Sequence, residues 1–366
     1  MIPTRTGHPY WMHEELHATP DALARALEPD ATEVAHRDQL AGRLARAHRI
    51  YLTGCGTAYH AALAGASFVR ELSAGAVEAQ AVQAFELTHY CRPGPAAGDA
   101  LIVLSHSGQP SATNAALASA RAAGAYCLTV TGNPESPAAK AADDILDEGY
   151  AGVKSFAYTI SYSLMLGLLA DLAARIATAR GASSPLAAAV RSLPAWHRRA
   201  LALEDPIRQL AERWRERDRW VFAGAGGNYA TALEAGLKMQ ETNYTAAAGM
   251  EMEEVLHGPV AALGEAVLVA IAPRGAGRDR AIEVLRAARI LGGATVALGA
   301  EGDDELAGAA DTFLALPDGA EALSPAPYHV PIHLLSYWLA VAKGRNPDLM
   351  HREEPRFLEA RRSYTL

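Results

Sequence analysis

Three side chains in the second half of this chain are of the types that proton transfer needs. Lys238 and Glu241 stand three residues apart in Ala235-Gly-Leu-Lys-Met-Gln-Glu-Thr-Asn-Tyr244, a spacing that puts both on one helix face. On a surface such a pair would contribute roughly a few tenths of a kcal/mol. The neighbours Leu233, Ala235, Leu237 and Met239 instead mark a largely buried helix, where a Lys–Glu pair is costly unless it is used. His257 follows sixteen residues after Glu241, in Glu254-Val-Leu-His-Gly-Pro259, where the Gly-Pro pair leaves it at a loop edge. A lone histidine is more often structural, but one that accompanies a candidate base has the chemistry of a general acid.

The first half offers an anion site. Leu101-Ile-Val-Leu-Ser-His-Ser-Gly-Gln109 is an apolar run ending in hydroxyls, and helix-forming sequence follows. Ser105, Ser107 and the amides around Gly108 can ring a phosphate at a helix N-terminus. A plain hydroxyl turn capping the next helix would use the same residues. The phosphate reading leads, because ligands of open α/β sheets sit at the carboxyl ends of strands.

The elements that must carry these residues are announced by a duplication. Tyr51-Leu-Thr-Gly-Cys-Gly-Thr-Ala-Tyr-His-Ala-Ala-Leu63 recurs as Val221-Phe-Ala-Gly-Ala-Gly-Gly-Asn-Tyr-Ala-Thr-Ala-Leu233. Each copy is an apolar run, a Gly-x-Gly turn and an Ala/Leu-rich helix, which predicts a strand feeding a helix through an amide-lined turn. Two copies predict a duplicated α/β domain. Strands are expected at 50–53, 76–82, 101–105, 126–131 and 145–147, with helices at 111–123, 136–142 and 156–180. The second half repeats the order, with strands at 219–223, 267–272, 294–298 and 312–315 and helices at 228–242, 278–291 and 328–343. Strands alternating with helices imply parallel sheets covered on both faces. Residues 1–45 read as a helical arm, with Thr19-Pro20-Asp21 opening a helix capped by Thr19. A connector is expected between Gly181 and Arg199, through Ser183-Ser184-Pro185 and Pro194. The expected division is arm 1–45, first α/β domain 46–195, second 205–343 and a polar tail 344–366.

With 366 residues, the chain has room for two cores. Its net charge of −8 argues against nucleic acid as the main partner, since phosphate backbones select basic surfaces. Cys55, Cys91 and Cys127 are odd in number and unclustered, which fits a reducing cytoplasm and gives neither a disulfide framework nor a zinc site. The N-terminus lacks the apolar core of a signal peptide, and no apolar run reaches membrane-spanning length. Lysine is so scarce (Lys140, Lys154, Lys238 and Lys343) that each one is worth locating.

Together these motifs resemble the sugar isomerase (SIS) family over nearly the whole chain. They are most similar to the isomerase half of glucosamine-6-phosphate synthase, to amino-sugar-phosphate isomerase/deaminases and to fructosamine-phosphate deglycases. Tyr10-Trp-Met-His-Glu-Glu-Leu-His-Ala-Thr-Pro20 looks like the family's entry segment, Met-x-x-Glu-Ile-x-x-Gln-Pro. Gly54-Cys-Gly-Thr57 and Ser105-His-Ser-Gly108 match its first-domain loops, and the segments around Lys238, Glu241 and His257 match its catalytic helix and loop. The resemblance implies two tandem three-layer α-β-α, flavodoxin-like domains. It implies that Gly56, Thr57, Ala58, Ser105, His106, Ser107, Gln109, Phe156 and Ala157 line a sugar-phosphate site, with Arg361 and Arg362 of the tail near it. Glu241 would move a proton between C1 and C2, Lys238 would sit beside it, and His257 would open the sugar ring from a partner subunit, which implies a homodimer. Neither metal nor organic cofactor is required for that chemistry, and no membrane partner is implied.

The departures from the family pattern shape the expected reaction. The chain starts at the isomerase part, so it is not expected to take ammonia from glutamine unless a separate glutaminase supplies it. The family tail, roughly Pro-Arg-Asn-Leu-x-Lys-Ser, reads Pro355-Arg-Phe-Leu-Glu-Ala-Arg-Arg-Ser363 here. Arg361 or Arg362 replaces a lysine that forms an imine with the ketose, and a guanidinium is a poor nucleophile. His106 stands where glutamine is usual, Pro110 where the synthase has threonine, Ala58 where it has serine, and Ile160 where the family has lysine. The expectation is therefore an enzyme that isomerises, deaminates or deglycates a phosphorylated amino sugar or fructosamine. A synthase using fructose 6-phosphate and ammonia, a plain aldose–ketose isomerase and a sugar-phosphate sensor remain the alternatives.

Overall fold

A computed structural model describes residues 4–182 and 185–365. The chain forms α1 (Trp11–Leu27), α2 (Ala31–Leu44), β1 (Ile50–Thr53), α3 (Thr57–Leu72), β2 (Ala79–Ala81), α4 (Ala84–His89), β3 (Ala100–Leu104) and α5 (Ser111–Ala122). Next come β4 (Tyr126–Thr131), α6 (Pro137–Ala141), β5 (Asp144–Asp147), α7 (Ile160–Ala179), α8 (Pro185–Ala189), α9 (Leu193–Leu201) and α10 (Glu204–Arg213). The second half adds β6 (Arg219–Gly224), α11 (Asn228–Thr242), β7 (Ala246–Glu251), β8 (Val267–Ala272), α12 (Arg278–Ile290), β9 (Ala294–Ala300), α13 (Asp304–Ala309), β10 (Thr312–Leu316), α14 (Pro325–Ala342) and α15 (Pro355–Arg362).

Two compact units result. One comprises residues 21–153, 160–182, 185–192 and 351–365; the other comprises 4–20, 154–159 and 193–350. The first holds a parallel sheet in the order β2-β1-β3-β4-β5, the second a parallel sheet in the order β7-β6-β8-β9-β10. The two orders correspond strand for strand, so the duplicated phrase is the visible part of a duplicated topology. Fully apolar β3 (Ala-Leu-Ile-Val-Leu) and β8 (Val-Leu-Val-Ala-Ile-Ala) are buried at every position, as strands covered on both faces must be. In each sheet the chain leaves its first strand to one side and returns on the other, between β1 and β3 and between β6 and β8. Loops at such a switch form a crevice at the carboxyl ends of the strands.

The duplicated turns repeat in geometry too. Gly56 and Gly226 take φ of +54° and +55°, a region that only glycine enters freely. A Cβ on Gly54 would lie 2.8 Å from the Ala58 carbonyl carbon, and one on Gly224 2.2 Å from the Asn228 oxygen. Only glycine lets the next helix start this close to the strand end.

Several local expectations give way. Thr19 is no N-cap: α1 runs on through Pro20, and the Thr19 hydroxyl donates to the Glu15 carbonyl (2.7 Å) inside the helix. Its apolar positions Met12, Leu16, Leu23 and Leu27 are all buried, and this burial outweighs the local capping signal. The expected connector is largely helical, because Pro185–Ala189 and Leu193–Leu201 form α8 and α9; Ser183 and Ser184 lie outside the described residues. The long helix starts at Ile160 rather than 156, since residues 154–159 belong to the other unit. The polar tail ends in α15, none of whose residues is buried. Among the described residues one helix, α7, is apolar and long enough to cross a membrane, yet 89% of its most apolar stretch is buried inside the fold.

Candidate active site

In the second-sheet unit, close packing fixes the helix that carries Glu241. Helix α11 presses on β7 through small residues: a Cβ on Gly249 would lie 2.2 Å from the Ala232 oxygen, and one on Gly236 3.0 Å from the Gly249 nitrogen. This brings three charged residues on one face of α11 into line. Lys238 is fully buried, and its Nζ lies 2.5 Å from Glu241 Oε2 and 3.1 Å from Glu234 Oε1. Burial pulls the ammonium toward neutrality, but the two carboxylates outweigh it and hold the Lys238 pKa above its ordinary value. Lys238 is therefore a fixed cation, not a base. The Glu234 carboxylate is 1% exposed and the Glu241 carboxylate 15%, so of the three charged groups Glu241 alone reaches solvent. The Thr242 hydroxyl donates to the Lys238 carbonyl (2.7 Å), tightening the last turn below the pair.

Behind Glu234 lies a chain of buried imidazoles. His333 Nε2 is 3.6 Å from Glu234 Oε1, the His333 and His329 rings meet at 4.9 Å, and the His329 and His197 rings at 5.4 Å. Burial lowers all three pKa values, that of His197 to about 4. They are neutral at pH 7, so they add no charge beside Lys238.

His257 ends a 3-10 turn over Glu254–Leu256, with its side chain 64% exposed and its Nε2 3.1 Å from Glu253 Oε1. It is placed at the surface, available to a group outside this chain. Phe156 and Ala157 belong to the segment that joins this unit. The Phe156 amide donates to the Asp348 carbonyl (3.0 Å), whereas Ala157 is fully enclosed in the core and its amide donates to Ser155 Oγ (3.2 Å). The buried Glu15 carboxylate fastens the start of this segment by accepting from the amides of Lys154 (2.5 Å) and Ser155 (3.2 Å).

In the first-sheet unit, Gly56, Thr57 and Ala58 form the start of α3 at the end of β1, with no side chain capping the helix. Within this turn the Ala58 amide donates to the Cys55 carbonyl (3.2 Å), and the helix start has the backbone-donor chemistry that suits an anion. Across the switch from them, Ser105 and Ser107 follow β3. Both hydroxyls act as turn acceptors: Ser105 Oγ receives the Gly108 amide (3.1 Å) and Ser107 Oγ the Gln109 amide (3.3 Å). Each hydroxyl keeps its own proton to donate. Gly108, at φ +63°, lies so close to Ser136 that a Cβ would sit 2.0 Å from its Oγ. His106 stands between the two serines in sequence. Its ring covers Gly132, and its Nδ1 lies 2.7 Å from Glu148 Oε2. Burial pushes the Glu148 carboxyl up, and the hydrogen bond from His106 pulls it back in part. Arg361 and Arg362 end α15, one half-buried and the other exposed.

Comparison with known proteins places this architecture. Residues 43–190 and 214–343 each match the SIS domain. This chain belongs to the SIS family. A glutamine–fructose-6-phosphate aminotransferase (isomerizing) from Pyrococcus horikoshii is 31% identical over 344 residues, which cover 93% of this chain and 56% of the relative. Its counterpart from Thermococcus kodakarensis is 30% identical over 350 residues, 94% of this chain and 57% of the relative. The SIS chain therefore spans somewhat more than half the length of the curated relatives it matches. The C-terminal domain of glucosamine-fructose-6-phosphate aminotransferase from Francisella tularensis superposes with a TM-score of 0.84 at 22% identity, covering 94% of this chain and 99% of that one. Glucosamine-6-phosphate deaminase from Thermotoga maritima gives 0.74 at 19% identity, covering 93% and 97%. At these identities the superpositions show the shared tandem SIS fold.

Three groups around these SIS loops and helices were not singled out from the sequence. Glu234 was legible, standing four before Lys238 just as Glu241 stands three after. Glu148 and His333 were not, because each reaches its partner across 42 and 99 residues of chain, through strand order and helix packing.

Proposed function

We propose that this SIS protein is an enzyme acting on a phosphorylated amino sugar or fructosamine, shifting a proton between C1 and C2 and thereby isomerising, deaminating or deglycating it. The observation that carries the reading is Glu241, a solvent-reaching carboxylate locked onto a buried, permanently charged lysine. A base for a proton alpha to a carbonyl or imine must be fixed in place and keep one face open to substrate, and Glu241 has both properties. Thr57, Ser105, Ser107 and the amides of their turns have the donor chemistry of a phosphate cradle. His257, exposed on its turn, suits the role of ring-opening acid contributed to the site of a second copy of the chain. The names of the relatives support sugar phosphates as the substrate class.

A second reading has its own support in the 31% identity to glutamine–fructose-6-phosphate aminotransferases. It predicts glucosamine 6-phosphate from fructose 6-phosphate with ammonia, or with a separate glutaminase. Arg361 and Arg362, where the family pattern has an imine-forming lysine, favour the first reading. The test is to incubate the protein with glucosamine 6-phosphate, galactosamine 6-phosphate and fructosamine phosphates, and separately with fructose 6-phosphate and ammonium. Ammonia or amine release supports the first reading and amino-sugar formation the second. No turnover by folded protein in any of them would sink both.

A further inference from the structure

Away from Glu241, α1 spells His13-Glu14-Glu15-Leu16-His17, and its two imidazoles are four residues apart on one face. Glu204, the first residue of α10, meets both of them. His13 Nε2 lies 2.7 Å from Oε1 and His17 Nε2 2.9 Å from Oε2. All three donor groups lie within 4.8 Å of one another, and all three residues belong to the second-sheet unit. The carboxylate does not swing freely, because Trp338 Nε1 donates to Oε1 at 3.0 Å. His13 is held as well: the His8 ring stands edge-on to it at 4.7 Å, and His8 Nδ1 is 2.7 Å from the Tyr337 hydroxyl. Side-chain exposures of 17%, 42% and 21% leave the cluster shielded on one side and open to solvent on the other.

We propose that His13, His17 and Glu204 form a binding site for one divalent transition-metal ion, with Zn2+ the best fit. Two neutral imidazoles and one carboxylate form the donor set that such ions take, at about 2.0–2.2 Å from each ligand atom. Two nitrogen donors favour Zn2+, Co2+ and Ni2+ over Mg2+ and Ca2+, which prefer oxygen alone. A sphere of that radius spans about 4 Å between opposite ligands, within reach of small side-chain rotations here. Trp338 plays the orienting part that outer partners of metal ligands usually play. The open side admits the ion and leaves it a position for water.

The motif supplies ligands but no spare base. Glu14 is paired with Arg5 (2.8 Å), and Glu15 accepts the amides of Lys154 and Ser155. The site therefore binds an ion and fastens α1 to α10, without a hydrolytic step. The other charged or titratable groups facing it are His8, Tyr337 and Arg208; burial favours the neutral forms of His8 and Tyr337, so the Arg208 guanidinium is the charge that opposes the ion.

The experiment uses the full chain without a histidine tag, freed of metal by a chelator. It is titrated with Zn2+, then with Mg2+, in a calorimeter at pH 7, and the titration is repeated on His17→Ala and Glu204→Gln. The expected result is one Zn2+ per chain, no Mg2+ heat, and affinity at least about 10-fold weaker in each variant, as loss of a ligand or its support produces. His17 is the most exposed of the three, so His17→Ala keeps its circular dichroism spectrum and tests the site even if Glu204→Gln does not fold. Failure of the parent to bind one ion, or Zn2+ affinity in folded His17→Ala within about 3-fold of the parent, would overturn the proposal. The readout is metal binding alone, so it stands or falls independently of any sugar-phosphate turnover.

Discussion

Replacing Gly249 by alanine adds one methyl group where three backbone atoms already stand. The new Cβ would lie 2.2 Å from the Ala232 oxygen, 2.4 Å from its carbonyl carbon and 2.5 Å from Leu233 Cα. Carbon atoms pack at about 3.5–4.0 Å, so α11 and β7 must part by more than about 1 Å. No flexible side chain can absorb this. Overpacking of a tight contact costs about 1–3 kcal/mol, and backbone on both sides puts this case at the upper end. Alanine recovers about 0.5–1 kcal/mol, because glycine is disfavoured inside a strand. The expected net loss is therefore about 2 kcal/mol in urea denaturation, at unchanged m-value. Nine residues along the same rigid helix from Ala232, Glu241 moves with it. A misplacement of about 1 Å costs on the order of 100-fold in rate, so kcat falls far more than stability does. Gly308→Ala in α13, where a Cβ meets nothing within 4 Å, is the control and should stabilise slightly. A Gly249→Ala protein as stable as its parent would refute the claim that this contact sets the position of α11.

Two further outcomes follow from the buried charges. Lys238→Met strands two carboxylates on one counter-ion site, one of them wholly enclosed, and is expected to lose about 3–5 kcal/mol in denaturation. Adding Glu234→Gln to that variant should recover a measurable part of the loss, and no recovery would contradict the pairing. The second outcome concerns pH. His197 has a folded pKa of about 4 against 6.5 unfolded, so its contribution is complete above pH 6.5 and is lost as pH falls toward 4. A gap of that size corresponds to about 3 kcal/mol. His197→Asn keeps a donor for the Leu193 carbonyl but removes the titration. Its stability should fall less steeply over that window than the parent's, although His329 and His333 still titrate. Parallel pH profiles would show that His197 is not the buried neutral group described.

The parts of this fold that declare themselves in sequence are those where one local pattern and the tertiary environment agree. Both Gly-x-Gly turns announced a strand-to-helix junction, and β1, β3, β4 and β8 lie within a residue of the apolar runs that predicted them. Strand β7 was missed because Ala246-Ala-Ala-Gly-Met-Glu251 has neither β-branched residues nor alternation. It is a strand because α11 needs small residues against it, which only the packing reveals. Thr19-Pro20 misled for the opposite reason: a good capping signal lost to an apolar face that continues beyond it. At the candidate site, the Lys238–Glu241 pair could be read from helical spacing. That His106 meets Glu148 could not, since the order of β3, β4 and β5 determines it.

The central claim is that Glu241 itself carries the proton. Turnover of the accepted sugar phosphate in 2H2O, read by NMR at C1 and C2, tests it most directly. The parent should place solvent deuterium on the carbon that receives the proton, and Glu241→Gln, with its fold and its phosphate binding intact, should place none. Deuterium incorporation by Glu241→Gln at the parent's rate would contradict the account.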